Sequence, residues 1–169
     1  ADTALGSAVE RIGQVAFTGD ADQPGRDYAF IEIDSEDLGQ VSAALKGHPQ
    51  IQTGVSTNAA KGDLIQFSGY GVGFHVSQPT REARVGVLNF TDGIEHTVLG
   101  PVISGDSGGP VANISDGNTA LGIVNTVGVS VNTGGLSPVH AGEGGNDLTF
   151  VLRDAAERGF TLNLRTVGS

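Results

Sequence analysis

Apolar positions in this chain come in short runs, each broken by Gly, Asn, Asp or Pro. The runs at 11–17, 28–33, 64–69, 83–90, 95–99, 110–113, 120–127 and 148–152 predict β-strands. Val, Ile, Leu and Phe dominate them, and the intervening residues are those of tight turns. Many short strands with frequent turn signals predict an all-β sandwich or barrel. Two segments carry helical signals instead. Ser35-Glu36-Asp37 can cap a short helix bearing Leu38, Val41, Ala44 and Leu45, with Gly47 ending it. Residues 152–158 read as one or two helical turns stopped by Gly159. The stretch 134–146 is rich in Gly and contains Pro138 and His140, which predicts a long surface loop. No internal repeat is evident.

Length and composition narrow the picture. The chain has 169 residues, enough for one domain or two small lobes and a sizeable core. Nine basic against nineteen acidic residues give a formal net charge of −10. Such a chain repels phosphate backbones, which argues against nucleic-acid binding and favours solubility and cationic partners. With no Cys, disulfides, thiol chemistry and Cys-based zinc sites are excluded. With no Met, residue 1 is not an initiator, so processing, cleavage or the choice of fragment sets the N-terminus. No apolar run approaches the roughly 18 residues that span a bilayer, and no signal-peptide pattern is recognisable.

The most informative segment is Gly105-Asp106-Ser107-Gly108-Gly109-Pro110, followed by the apolar Val111. A serine hydroxyl becomes a nucleophile only with a base to take its proton and donors to hold the oxyanion. The glycines suit such a loop, since they admit φ values that other residues resist and leave backbone N–H groups unobstructed. The plain alternative is a glycine-rich turn in a chain holding 27 glycines.

The hexapeptide resembles the nucleophile loop of chymotrypsin-like (trypsin-superfamily) serine proteases of the bacterial type. Further segments resemble the family's second barrel: 62–69 through Gly73, 83–89, 121–125, and 148–152 with 155–159. The segment Arg26-Asp27-Tyr28-Ala29-Phe30-Ile31 resembles the one carrying the triad aspartate, whose role is to hold the histidine tautomer. The resemblance implies an all-β, double-barrel fold with a short C-terminal helix. Residues 1–48 would be a remnant of the first barrel plus the interlobe connection, and 49–169 a complete second barrel. It implies Ser107 as nucleophile, Asp27 as orienting carboxylate, and the amides of Gly105 and Ser107 as the oxyanion hole. Pro101, Val102, Asn125 and Val127 would line the substrate pocket. Pro101 stands where trypsin-like members carry an acidic residue, so an apolar or small side chain is the expected preference. No cofactor or metal is implied, and the expected location is secreted or extracytoplasmic.

Two departures matter. In the family the triad histidine precedes the aspartate, yet His48, His75, His96 and His140 all follow Asp27. A complementary N-terminal chain carrying the histidine, or self-association, would complete the site; an inactive processed fragment or a non-catalytic binding module are the rival readings. Asp106 also needs a cationic or N–H partner. Bacterial relatives supply an arginine near the start of the second barrel, where this chain has Phe67; Arg81 and Arg84 are the other candidates.

Weaker signals read as ordinary structure. Gly69-Tyr70-Gly71-Val72-Gly73 lacks the helix that a nucleotide loop needs. Asp20 and Asp22 hint at a calcium loop, but Pro24 and the missing downstream Glu argue against it. Asn89-Phe90-Thr91 and Asn113-Ile114-Ser115 are glycosylation sequons, relevant only in a eukaryotic secretory setting.

Overall fold

A computed structural model describes residues 11–41, 54–69, 83–102, 104–131 and 139–165, the side chains of 127, 129–131 and 139–141 excepted. The expected helix after Ser35 is described only to residue 41. There, 35–40 form turns, with Asp37 N–H donating to Asp34 O and Gln40 N–H to Asp37 O. His48 and His75 lie outside the described residues.

Two strands, β1 (Gly13–Thr18) and β2 (Ala29–Ile33), form a small antiparallel sheet. Six more close an antiparallel barrel: β3 (Leu64–Phe67), β4 (Arg84–Thr91), β5 (Glu95–Leu99), β6 (Pro110–Asn113), β7 (Thr119–Val131) and β8 (Val139–Asp147), in the order β3-β4-β5-β8-β7-β6. Helix α1 (Leu148–Glu157) follows directly. The protein is therefore mostly β, with a closed six-stranded barrel and one short C-terminal helix.

Period-two alternation explains the barrel interior. Ile65 and Phe67 point inward from β3, Leu88 from β4, Val98 from β5, Val111 from β6 and Val124 from β7, and Leu121 joins the core at the β6–β7 bulge. Burying a side chain of this size contributes about 1.5–3 kcal/mol.

Two expectations need correction. The stretch expected to be a long surface loop holds β8, which pairs with β5 on one side and β7 on the other. The run 148–152, expected to be a strand, is the start of α1. Leu-Thr-Phe-Val-Leu is a short apolar run, which period alone cannot assign to strand or helix. Here β8 already occupies the last place in the barrel, and the run turns outward to bury Val151 and Ala155.

The β1–β2 sheet is held to the rest by α1, the start of β5 and the end of β8. Phe17 and Phe30 lie 5.7 and 5.8 Å from Phe160, ring to ring. Tyr28 Oη donates to the buried Asp154, which also pairs with Arg26 at 3.1 Å and Arg158 at 2.9 Å. Gly25 N–H donates to Glu95 Oε1 at 2.8 Å. The opposite face of the sheet exposes Val15 and Ile31, which are cross-strand partners.

Candidate functional site

Ser107 sits on an exposed turn between two residues in the left-handed region, Gly105 at φ 100° and Gly108 at φ 82°. Side chains rarely adopt such angles, so glycine at both places is what lets the turn form. Gly109 N–H closes the turn onto Asp106 O at 2.8 Å. Gly108 N–H donates to Val124 O, and Gly109 O accepts from Val124 N–H, pinning the turn to β7. Among the described residues, the N–H groups of Gly105 and Ser107 donate to no backbone acceptor.

Adjacent residues point opposite ways. Ser107 is exposed, whereas Asp106 is fully buried. The carboxylate receives Arg84 Nη2 at 2.6 Å, and Arg84 Nη1 also donates to Pro101 O at 3.2 Å. One guanidinium thus ties the Ser107 turn to the 100–102 segment. Phe67 does not leave the place empty: it is the cross-strand partner of Arg84, whose guanidinium lies 5.4 Å from the Phe67 ring centre.

Ser107 Oγ donates to Asn125 O at 3.1 Å. Asn125 is the extra residue of a β-bulge, since Val124 pairs with Gly145 and Thr126 with Gly144. Bulges re-aim the chain locally, and this one turns a strand carbonyl toward the hydroxyl. A carbonyl accepts a hydrogen bond but does not take the proton, so this contact holds Ser107 without activating it.

Asp27 is exposed, and its carbonyl accepts from Asn146 Nδ2 at 3.0 Å. Asn146 pairs with Ile123, two residues from Asn125 along β7. The chain at Asp27 and the hydroxyl of Ser107 therefore meet the same short stretch of β7–β8. Of the expected pocket residues, Pro101 is exposed and Asn125 half-buried, while Val102 is a member of the apolar core. The Val127 side chain lies outside the described residues.

His96 lies in β5 with its side chain wholly buried, Nδ1 2.7 Å from Asp147 Oδ1. Its Nε2 faces Glu143 Oε1 at 3.8 Å. Thr91 Oγ1 donates to the other Asp147 oxygen at 2.6 Å. Glu143 is buried, and among the described residues neither of its oxygens has a hydrogen-bond partner. Burial pushes its carboxyl up to about 7, with Asp106 adding to the rise and His96 and Arg84 opposing it. No sequence pattern marked Glu143, because it lies in the glycine-rich stretch taken for a loop.

Asp20 is a turn residue: it accepts from the Asp22 amide and from Gln23 Nε2. Among the described residues, no group of three or more acidic or histidine side chains is placed to hold a metal ion. None of the helices described is long and apolar enough to cross a membrane. No protein-family model matches the chain, and no curated protein matches its sequence.

Proposed function

We propose that this chain is the nucleophile-bearing part of a chymotrypsin-like serine endopeptidase acting outside the cytoplasm. The observation that carries the reading is the split between neighbours at 106 and 107. A buried aspartate clamped by Arg84 anchors a turn that holds the next residue, a serine, out in solvent. A glycine-rich connector with no chemical role has no need of a buried ion pair beneath its tip.

In this reading Ser107 Oγ leaves Asn125 O and gives its proton to an imidazole as it attacks the peptide carbonyl. The oxyanion that forms takes the N–H groups of Gly105 and Ser107, each such donor supporting the rate about 10²–10³-fold. The imidazolium then protonates the leaving amine, and water releases the acyl group by the reverse sequence. Asp27 orients the imidazole. Pro101 offers no carboxylate to a basic side chain, so the substrate is a polypeptide cut after an apolar or small residue.

The imidazole comes from another segment or a second chain. His96 is committed to Asp147 inside the barrel. The exposed cross-strand pair Val15 and Ile31 gives the β1–β2 sheet an apolar face on which strands carrying that histidine can pack.

A non-catalytic binding module is the second reading, favoured by the Ser107–Asn125 hydrogen bond, in which the hydroxyl donates to a carbonyl that cannot take its proton. Labelling of the native assembly with an organophosphonate separates the two. The peptidase reading requires one adduct, on Ser107, lost in Ser107→Ala. An unmodified Ser107 leaves the binding module standing.

A further inference from the structure

The chain enters β2 with its backbone fixed from outside the β1–β2 sheet. Gly25 N–H donates to Glu95 Oε1 at 2.8 Å, and Asp27 O accepts from Asn146 Nδ2 at 3.0 Å. Glu95 and Asn146 are cross-strand partners, at the start of β5 and the end of β8. Opposed residues of an antiparallel pair occupy neighbouring space on one face. One strand pair thus presents an acceptor and a donor together, matched to an N–H and a C=O two residues apart. Arg26, between them, is tied to Asp154 of α1 at 3.1 Å.

Gly25 admits no substitute in this arrangement. It is buried at φ 72°, and a Cβ there would collide with Ile94 Cγ2 and lie 2.8 Å from Phe150 Cε1. Only glycine brings its N–H this close to the barrel. On the other side of Asp27, Tyr28 is buried, its carbonyl accepting from Gly19 N–H at 2.8 Å and its hydroxyl donating to Asp154. Of residues 25–28, only Asp27 is exposed. Its carboxylate therefore stands in solvent on a backbone tied down on both sides. A turn aspartate has no need of such a hold. A carboxylate that must meet an imidazole has one, because misplacing such a group by about 1 Å can cost about 10²-fold in rate.

We propose that Glu95 and Asn146 are positioning residues for Asp27, clamping the 25–27 backbone to the barrel and so fixing its carboxylate relative to Ser107. Neither touches the reacting atoms. Asn146 pairs with Ile123 of β7, two residues before Asn125, whose carbonyl accepts from Ser107 Oγ at 3.1 Å. The β7–β8 ladder thus carries both the hold on Asp27 and the hold on Ser107. The bearing on catalysis rests on the peptidase reading; the clamp on the backbone does not.

Three exchanges test it. Asn146→Asp replaces the donor with a carboxylate oxygen. Glu95→Ala removes the acceptor at an exposed position, and Glu95→Gln retains it. In NMR spectra of the isotope-labelled chain, Asn146→Asp and Glu95→Ala should each shift the amides of Gly25 and Asp27, and Glu95→Gln should return them toward wild type. In the native assembly, phosphonate labelling of Ser107 should slow about tenfold or more in the first two. Its pH midpoint should also fall, because an imidazole that loses its carboxylate gives up its proton more readily. Glu95→Gln should recover most of both losses. A rate that falls with no change of midpoint marks a merely structural lesion and overturns the proposal. Amides at 25 and 27 that do not respond overturn it equally. If Asn146→Asp does not fold, the two Glu95 variants decide. Amides that respond beside a wild-type Ser107 inert to phosphonate sink the peptidase reading and leave the clamp in place.

Discussion

Arg84 Nη2 lies 2.6 Å from Asp106 Oδ1, and the arginine reaches it from the strand position directly opposite Phe67. The resemblance places the aspartate's cationic partner at 67. In this chain the cation comes from across the β3–β4 ladder, over the Phe67 ring. Strand pairing allows the exchange, because opposed residues in an antiparallel pair occupy neighbouring space on one face. Removing one member of a buried pair strands the other. Arg84→Met should therefore destabilise the protein by about 3–5 kcal/mol in denaturant unfolding. Adding Asp106→Asn should recover part of that loss, and strictly additive effects would show that the two do not act as a pair.

Glu143 sets the direction of a pH dependence. Its carboxyl is raised from 4.5 to about 7 in the folded chain, so the folded state holds the proton longer than the unfolded state does. Its contribution to stability is complete below about pH 4.5 and is lost as pH rises through 7. At about 1.4 kcal/mol per pKa unit the loss is about 3 kcal/mol. Urea unfolding across this window should show a falling stability in the wild type that is shallower in Glu143→Gln. Parallel curves would mean that Glu143 titrates alike in both states.

Tyr28 and Asp154 fasten the β1–β2 sheet to α1. Burial, with the carboxylate as acceptor, pushes the Tyr28 phenol up to about 12. Arg158, first among several partners, holds Asp154 below the usual carboxylate range. The chain has two tyrosines, so tyrosinate absorbance should resolve one late-titrating phenol that Tyr28→Phe removes. The same variant should speed amide exchange in β1 and β2 while leaving β5 and β8 protected. Uniform loss of protection would argue that sheet and barrel open as one unit.

At Gly108 the effect is confined to the backbone. Among the described residues, none beyond its chain neighbours has an atom within 4 Å of where a Cβ would sit, yet φ is 82°. Gly108→Ala should cost about 1–2 kcal/mol through the left-handed conformation alone. A larger loss, read by thermal unfolding, would point to a steric clash that the geometry does not contain.

Strands whose inward residues are apolar were legible, and β5 and β6 match their expected limits residue for residue. β8 was hidden by its own contents. Its described inward side chains are acidic or absent, so Val139–Asp147 carries no alternating apolar signal. Backbone pairing to two neighbours defines it, and pairing is a non-local fact. The start of α1 was hidden differently. Asp147 stands at the N-cap, yet its carboxylate is turned to His96 and Thr91 and caps nothing. The Ser107 turn was readable because its glycines are demanded locally. Arg84 could be named from the sequence only as one of two candidates, since its reach depends on which strand lies beside β3.

The bulge at Asn125 divides β7 into two parts with different obligations. At Gly122 and Ile123 the strand is bound on both sides, by β6 and by β8. Beyond the bulge its only partner in the register is β8, and β8 from Val139 to Ala141 has only β7. Residues 129–131 and 139–141 thus form a two-stranded arm outside the barrel's closure, reached from Asn125 through residues 126–128. Residues can be added to or removed from it in pairs without altering the barrel's circumference or the hydrogen bond that Asn125 O accepts from Ser107. Reach beyond the turn is thus an independent variable, open to change by loop length alone while the chemistry at its root stays fixed.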